Sequence, residues 1–519
     1  MRASALLPLL LLGCSPAIVD SRAPTPSTSA ASASAHKRAD EADALFRKGD
    51  ASSALVAYRE AWDAGDQTGE VAYSGACAAS RAKQIDEAFV WLDRAATHRV
   101  YGPAYAVDHD LDSVRGDPRF PIVVAKARQL AEARAREMGV GAGLVRSSPE
   151  AEAIDRPALD RLLRASEDAG SSAVVVLRNG RLVGDWYFGG YTYPIEAMSA
   201  TKSVVELAIG ILIADGRIAS LDEPVWRFYP EWRQGRKEQI TLRMLLNHTS
   251  GLQAGRITDE VYRSPDFVQL ALAAELTDAP GTRFFYNNKA VNLLAGVVER
   301  ASGTKLDDFL RARLFLPLGV RDVTWSHDAA GNPHGMAGLQ IHPLDFAKVG
   351  QLMLDAGQWN GAQILDPRFI AESTRPSQAD DPTCGLLWWI AYDDERVTLP
   401  AAAEAALRDH AVPARLVDKF HDLYGKSVAP EELSRITLPL PIGDYATVFD
   451  ALNAAKIQVR REATGAFGFA AEGYLGQMVL VIPSAHLVVV RMLDSANEER
   501  SKRLSQREFM QLARALVPH

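Results

Sequence analysis

Several familiar signals are missing from this chain. Cysteine is scarce, three in 519 residues. Cys77 sits in a helical pattern and Cys384 precedes "GLLWW", and they are read as buried small hydrophobes rather than a disulfide pair. No apolar run reaches the ~20 residues that span a bilayer. Neither charge sign dominates: the formal net charge is -8, evenly mixed, so no nucleic-acid partner is predicted. No Gly-rich phosphate loop follows a strand, which leaves no nucleotide site. Eleven histidines are scattered, and Asp108-His109-Asp110 lacks the helix-spaced partners of a zinc protease. No metal and no cofactor are therefore expected.

What is present is organised in sections, and the length favours more than one folded unit. The start, "MRASALLPLLLLGC", has a basic residue, a short apolar run and Leu-Leu-Gly-Cys. That ending resembles a bacterial lipobox, which implies a signal over 1–14 and Cys14 as the lipidated first residue of the mature chain; an ordinary secretory signal cut nearby is the alternative. Either places the protein in the bacterial cell envelope, and lipid on Cys14 would hold it to a membrane. Residues 15–39, including "SRAPTPSTSAASASA", offer no apolar face and read as a flexible linker.

Residues 40–139 repeat themselves. "KGDASSALVAYREAW" and "AKQIDEAFVWLDRAA" align at a period of 34, with Ala54, Tyr58 and Ala61 opposite Ala88, Leu92 and Ala95. The period matches the tetratricopeptide pattern. Two copies are fewer than such arrays need, so the segments that follow are expected to cap the stack. The region is either a docking surface for a protein partner or a helical spacer packed on the domain that follows.

From residue 150 to 519 a second domain is expected. Two strand-like runs meet at Asn179-Gly180, a hairpin signal. Then comes "EAMSATKSVVELAIGILIADGRI", with Ser199 and Lys202 one turn apart at the head of an apolar helix. Ser203 and Glu206 are spaced as a capping box, and Gly216 is a stop signal. S-x-x-K alone decides nothing, since it recurs at Ser34/Lys37, Ser80/Lys83 and Ser302/Lys305. Only Ser199 follows a hairpin and precedes a long buried helix. There the two side chains share a helix face and the helix start favours developing negative charge. A serine is a competent nucleophile when a neighbour takes its proton, and a lysine can do so when burial keeps it neutral.

Downstream, "PGTRFFYNNKAV" carries Tyr286 and Asn288 on a loop entering a helix. A phenol can relay protons, and an amide can orient lysine and substrate. With these four residues the chain resembles serine hydrolases related to class C β-lactamases, which include D-alanyl-D-alanine carboxypeptidases, esterases and 6-aminohexanoate-oligomer hydrolases. The resemblance runs from Ala173 to Leu493 through "SATKSVVELAIG", "ITLRMLLNHTSGL", "PGTRFFYNN", "GMAGLQIHPLDFAKVGQLML", "CGLLWWI" and "GYLGQMVLVIPSAHLVVVRM". It implies an α/β fold with an antiparallel sheet flanked by helices and an all-helical subdomain. Ser199 would be acylated, Lys202 and Tyr286 would share base and relay work, and Asn288 would position them. The oxyanion would lie between the Ser199 amide and an edge-strand amide near Gly473 and Tyr474. His248 is read as part of a structural turn.

Two departures from the resemblance shape the expectation. Where carboxypeptidases and β-lactamases of that kind carry Lys-Thr-Gly or His-Thr-Gly, this chain has Ala471-Glu472-Gly473. An acid there repels a substrate carboxylate, which favours ester or amide substrates lacking that group over a D-Ala-D-Ala carboxypeptidase or β-lactamase. Residues about 396–462 form a helical insertion, either a substrate-selecting lid or a peripheral decoration. The competing class is a non-catalytic envelope lipoprotein that binds a ligand or partner. Ser199, Lys202 and Tyr286 together discriminate against it, because binding alone has no chemical need of all three.

Overall fold

The computed structural model describes residues 30–517 apart from 101–104, 106–107, 256–257 and 438. The signal expected at 1–14, with Cys14, lies outside the described residues. The first helix, α1 (Ala30–Arg47), begins inside the stretch read as linker to residue 39 and corrects that boundary. Its buried face is made of Ala35, Ala39 and Ala42. A stripe of alanines gives a helix face with little hydropathy contrast, which is why the pattern looked unstructured.

Helices α2 (Ala51–Asp63), α3 (Gly69–Arg81) and α4 (Ile85–Thr97) follow as packed neighbours. Asp50 and Thr68 cap α2 and α3 by accepting the Ser53 and Val71 amides. All six repeat-aligned residues, Ala54, Tyr58, Ala61, Ala88, Leu92 and Ala95, are buried at α2 and α4. Close approach is built in at Gly75, where a Cβ would meet the Trp91 ring at 2.7 Å. Helix α5 (Phe120–Met138) joins the halves: Ala127 belongs to the helical core, whereas Ala131 belongs to the core of the sheet domain.

The sheet domain is built on eight strands: β1 (Val145–Arg146), β2 (Ala173–Arg178), β3 (Arg181–Tyr187), β4 (Trp389–Thr398), β5 (Ser427–Val428), β6 (Arg460–Glu472), β7 (Met478–Ile482) and β8 (Leu487–Met492). Their order is β1-β3-β2-β8-β7-β6-β4-β5, antiparallel except for the two-residue β1 beside β3. The β2–β3 hairpin turns at Asn179 and Gly180, both with positive φ, 52° and 73°, as a two-residue loop of this kind demands. Alternate residues of β2 feed two cores, Val175 and Leu177 on one face and Val174 and Val176 on the other.

Helices α6 (Arg156–Asp168), α7 (Thr201–Ala214), α8 (Asn288–Ser302) and α9 (Pro343–Leu354) precede the insertion, which carries α10 (Ala402–Asp409) and α11 (Ile442–Ala454); α12 (Gln506–Arg514) comes last. Residues of α6 and α12 fill the core on one sheet face and those of α7 and α9 the core on the other. Short helices between 225 and 273 pack with α8 into the helical subdomain, burying Tyr229, Trp232 and Leu245. The insertion has its own core, including Leu407, Leu416, Phe420, Val448 and Leu452.

Two local expectations are corrected. Ser203 and Glu206 are not a capping box, because α7 starts at Thr201 and both residues are interior to it. Ser203 donates to the Leu387 carbonyl at 2.6 Å, and Glu206 accepts from Ser373 and from Trp388 Nε1. β6 is also not an edge strand, since β4 covers it from Arg460 to Ala470. That pairing stops at Trp389, so Ala471 to Gly473 run past β4 toward the head of α7.

Candidate active site

The turn that presents Ser199 is tightly held. Ile195–Glu196 pairs with Leu339–Ile341, and the Ala197 amide donates to the Leu339 carbonyl at 2.8 Å. Met198 then adopts φ 49°, an uncommon conformation for a side-chain-bearing residue. A 3-10 turn over Met198–Ala200 leads into α7. Opposite this turn sits Gly473, where a Cβ would meet the Ala197 carbonyl at 2.5 Å and the Ala200 nitrogen at 3.1 Å. Only glycine lets the end of β6 press this closely on the serine turn.

Lys202 is 3% exposed, and its Nζ lies 2.8 Å from Ser199 Oγ and 2.7 Å from the Met336 carbonyl. Burial holds its pKa well below the usual lysine value, and no carboxylate among the described residues is paired with it. A neutral amine has two N–H donors and one lone pair; with one donor on Met336, the lone pair is free to take the Ser199 proton. The Met336 carbonyl is itself fixed, because Asn292 Oδ1 accepts the Gly335 and Met336 amides at 2.9 and 3.0 Å.

The Tyr286 phenol faces Ser199 and its ring centroid lies 5.1 Å from Lys202 Nζ. Burial pushes its pKa up to about 12, while hydrogen bonding with Ser199 pulls the other way. It therefore enters the site as a proton donor or relay. Two rings fix it: His248 at 4.6 Å and Trp389 stacked at 6.2 Å. The buried His248 accepts the Asn287 amide at Nδ1 and is held neutral, down to about 3, chiefly by burial. Asn287 caps α8 by accepting the Ala290 amide, and donates to Leu252.

Ser199, Lys202, Tyr286 and Gly473 thus converge. Asn288 Oδ1 is buried without a hydrogen-bond partner among the described residues, and Lys202 donates to the Met336 carbonyl. Gly473 contributes proximity, not a donor, because its amide is spent on the Gln477 carbonyl at 2.8 Å. The Tyr474 side chain is 60% exposed and donates to Glu498 Oε1 at 2.5 Å, so only its backbone can serve the site. The two tryptophans divide: Trp388 is packed against Glu206, and Trp389 lines the cleft beside Tyr286.

Sequence reasoning missed Asn292, Met336 and Glu196. Glu196 Oε1 accepts the Gly338 amide at 3.1 Å, its Oε2 is buried without a partner, and burial lifts it to about 8. Its place three residues before Ser199 was the only available signal. Among the described residues, one group of metal-ligand type draws together, Cys77, Asp108 and Asp110, and it lies in the helical region. Asp108 accepts from Tyr73 and Cys77, and Asp110 pairs with Arg81 at 3.0 Å.

Comparison with known proteins agrees with this geometry. Over 144 residues the chain is 38% identical to Esterase EstB of Burkholderia gladioli, covering 24% of this chain and 36% of that protein. It is 29% identical over 130 residues to a beta-lactamase of Escherichia coli K12, covering 25% and 34% of the two. It is 25% identical over 241 residues to the 6-aminohexanoate-dimer hydrolase of Paenarthrobacter ureafaciens, covering 41% and 61%. The chain thus spans from about a third to three fifths of the length of these relatives. A crystal structure from Bacteroides dorei DSM 17855, assigned provisionally to the beta-lactamases, superposes with TM-score 0.50 over 70% of this chain and 99% of its own, at 17% identity, and shares the fold. The family profile described as Beta-lactamase matches residues 159–511, and the chain belongs to that family.

Proposed function

We propose that this protein is a serine hydrolase that cleaves ester or amide bonds through an acyl-enzyme on Ser199. One observation carries the reading: a buried lysine, its pKa pushed well below the usual value by desolvation, with its nitrogen 2.8 Å from the serine oxygen. In the forward step the Ser199 oxygen attacks the substrate carbonyl while its proton moves to Lys202 Nζ. Tyr286 passes a proton to the leaving oxygen or nitrogen, and water then releases the acyl group by the reverse relay. The developing oxyanion lies between the backbone of Ser199 and that of Tyr474; an amide donor of this kind is worth on the order of 3 kcal/mol.

Ester or amide substrates without a carboxylate beside the scissile bond are favoured, because Ala471 and Glu472 offer no cation to hold one. The naming of two relatives as an esterase and an aminohexanoate-dimer hydrolase supports this choice. Export and a lipid anchor on Cys14 complete the proposal, with the helical region as a spacer or a partner's docking surface.

The test is labelling of wild type and Ser199→Ala with a fluorophosphonate and a fluorescent penicillin, followed by mass mapping. Label on Ser199 from the fluorophosphonate alone is expected. Label from both reagents turns the assignment to a carboxypeptidase or β-lactamase, and label from neither removes the hydrolase reading. Incorporation of labelled fatty acid in a bacterial host, lost in Cys14→Ser, tests the anchor.

A further inference from the structure

The end of β6 brings to the site an acid that, among the described residues, no cation pairs with. Ala470 pairs with Trp389, and residues two apart share a strand face, so Glu472 lies on the face that carries Trp389. Tyr286 stacks on that ring, and the next residue, Gly473, touches the serine turn. Glu472 therefore sits at the end of β6 on the sheet face of Trp389, near enough to Tyr286 to act on its phenol, while Ala471 faces the α7 side.

The charged groups around Glu472 leave it unsatisfied. Arg461, whose charge acts on it, is shared between Asp381 at 3.3 Å and Glu395 at 3.1 Å. Among the described residues the half-buried Glu472 carboxyl has no hydrogen-bond or ion-pair partner, and burial together with Glu395 lifts it to about 8. Across the serine turn, Glu196 Oε2 is also buried and unpartnered. Lys202 supplies no compensating charge, since its task requires the neutral form.

Ionised without a partner, Glu472 would oppose the reaction, because the attacked carbonyl oxygen gains negative charge close by, and burial keeps it protonated instead. A positive group on the substrate removes that conflict and gives Glu472 the partner it lacks. We propose that Glu472 is a specificity-determining residue that receives a cationic group, an ammonium or amidinium, carried by the acyl substrates of this site. The proposal rests on the serine-hydrolase reading above. It goes beyond the exclusion of carboxylates by naming the group that is selected.

The experiment uses the full chain and three p-nitrophenyl esters of matched length: pentanoate, 4-(trimethylammonio)butanoate and hemiglutarate. Each kcat/KM is divided by that ester's spontaneous hydrolysis rate, and ratios are taken within each variant, so that loss of folded protein cancels. In wild type the cationic ester is expected to exceed the neutral one by about tenfold or more. That ratio should fall to about one in Glu472→Gln, and in Glu472→Lys the hemiglutarate should overtake the cationic ester. A wild-type ratio of one or less, or a ratio unchanged in Glu472→Gln, overturns the proposal and leaves the hydrolase standing. Failure of all three esters, with no fluorophosphonate label on Ser199, overturns the hydrolase and this proposal with it.

Discussion

Lys202 shows how one residue can cost stability and supply chemistry. Its folded pKa is depressed, so between that value and the ~10.4 of an unfolded lysine the unfolded chain holds a proton that the folded chain has released. Native stability therefore rises with pH across this window, and the penalty disappears near its upper end. Lys202→Met should be more stable than wild type at neutral pH, by roughly 0.5–2 kcal/mol. The advantage should shrink as pH approaches ~10.4, which thermal melts of both proteins at several pH values will show. The same variant should lose ~10²–10⁴-fold in kcat/KM on a neutral p-nitrophenyl ester. Wild-type activity should climb with pH along a limb centred well below the ordinary lysine value, and Lys202→Met should lack that limb.

Among elements, the insertion has the most direct line to the chemistry. Its base is the β4–β6 ribbon, and its far side grips the segment just before Tyr286. Arg283 donates to Asn453 Oδ1 at 2.6 Å, Lys456 pairs with Asp278 at 2.9 Å and donates to the Thr277 carbonyl, and Gln458 donates to the Phe284 carbonyl at 2.5 Å. The Tyr286 loop is thus braced by the insertion. Replacing Asn453 and Lys456 together by alanine removes three of these contacts without touching the cleft. Since small misplacements of a reacting group are costly, kcat should fall by about tenfold while the melting temperature moves little. Unchanged kcat would make the insertion a decoration.

At this scale the limits of the sequence are also visible. Asn179-Gly180 and the Ser199/Lys202 spacing were legible because each is set by neighbours a few residues away. Ser203 and Glu206 had a cap's spacing, yet their partners are Leu387, Ser373 and Trp388, more than 160 residues on, and tertiary contact overrode the local pattern. Asn292 was hidden for the same reason, since its role exists only where α8 meets residues 335–336. Glu472 could be singled out because it breaks a pattern, but that it pairs with no cation among the described residues required the folded chain.

For the whole molecule, α5 decides how the halves are related. Arg134 pairs with Asp322 at 3.3 Å, Arg128 donates to the Gly190 carbonyl at 3.0 Å, and the Gly141 amide just beyond the helix donates to Asp345 at 3.0 Å. A chain starting at residue 119, which keeps α5, should turn over a neutral p-nitrophenyl ester as the full chain does. One starting at residue 144 loses Ala131 and all three contacts from the sheet domain. It should melt lower, by roughly 2–4 °C for each kcal/mol given up, with circular dichroism as the readout.

Because α5 lends one side to each core, heating the intact protein should register a single calorimetric peak. A ligand that gripped the outermost helices would then be felt as added resistance to melting around Ser199, and the arm would report its occupancy to the site without any change of shape.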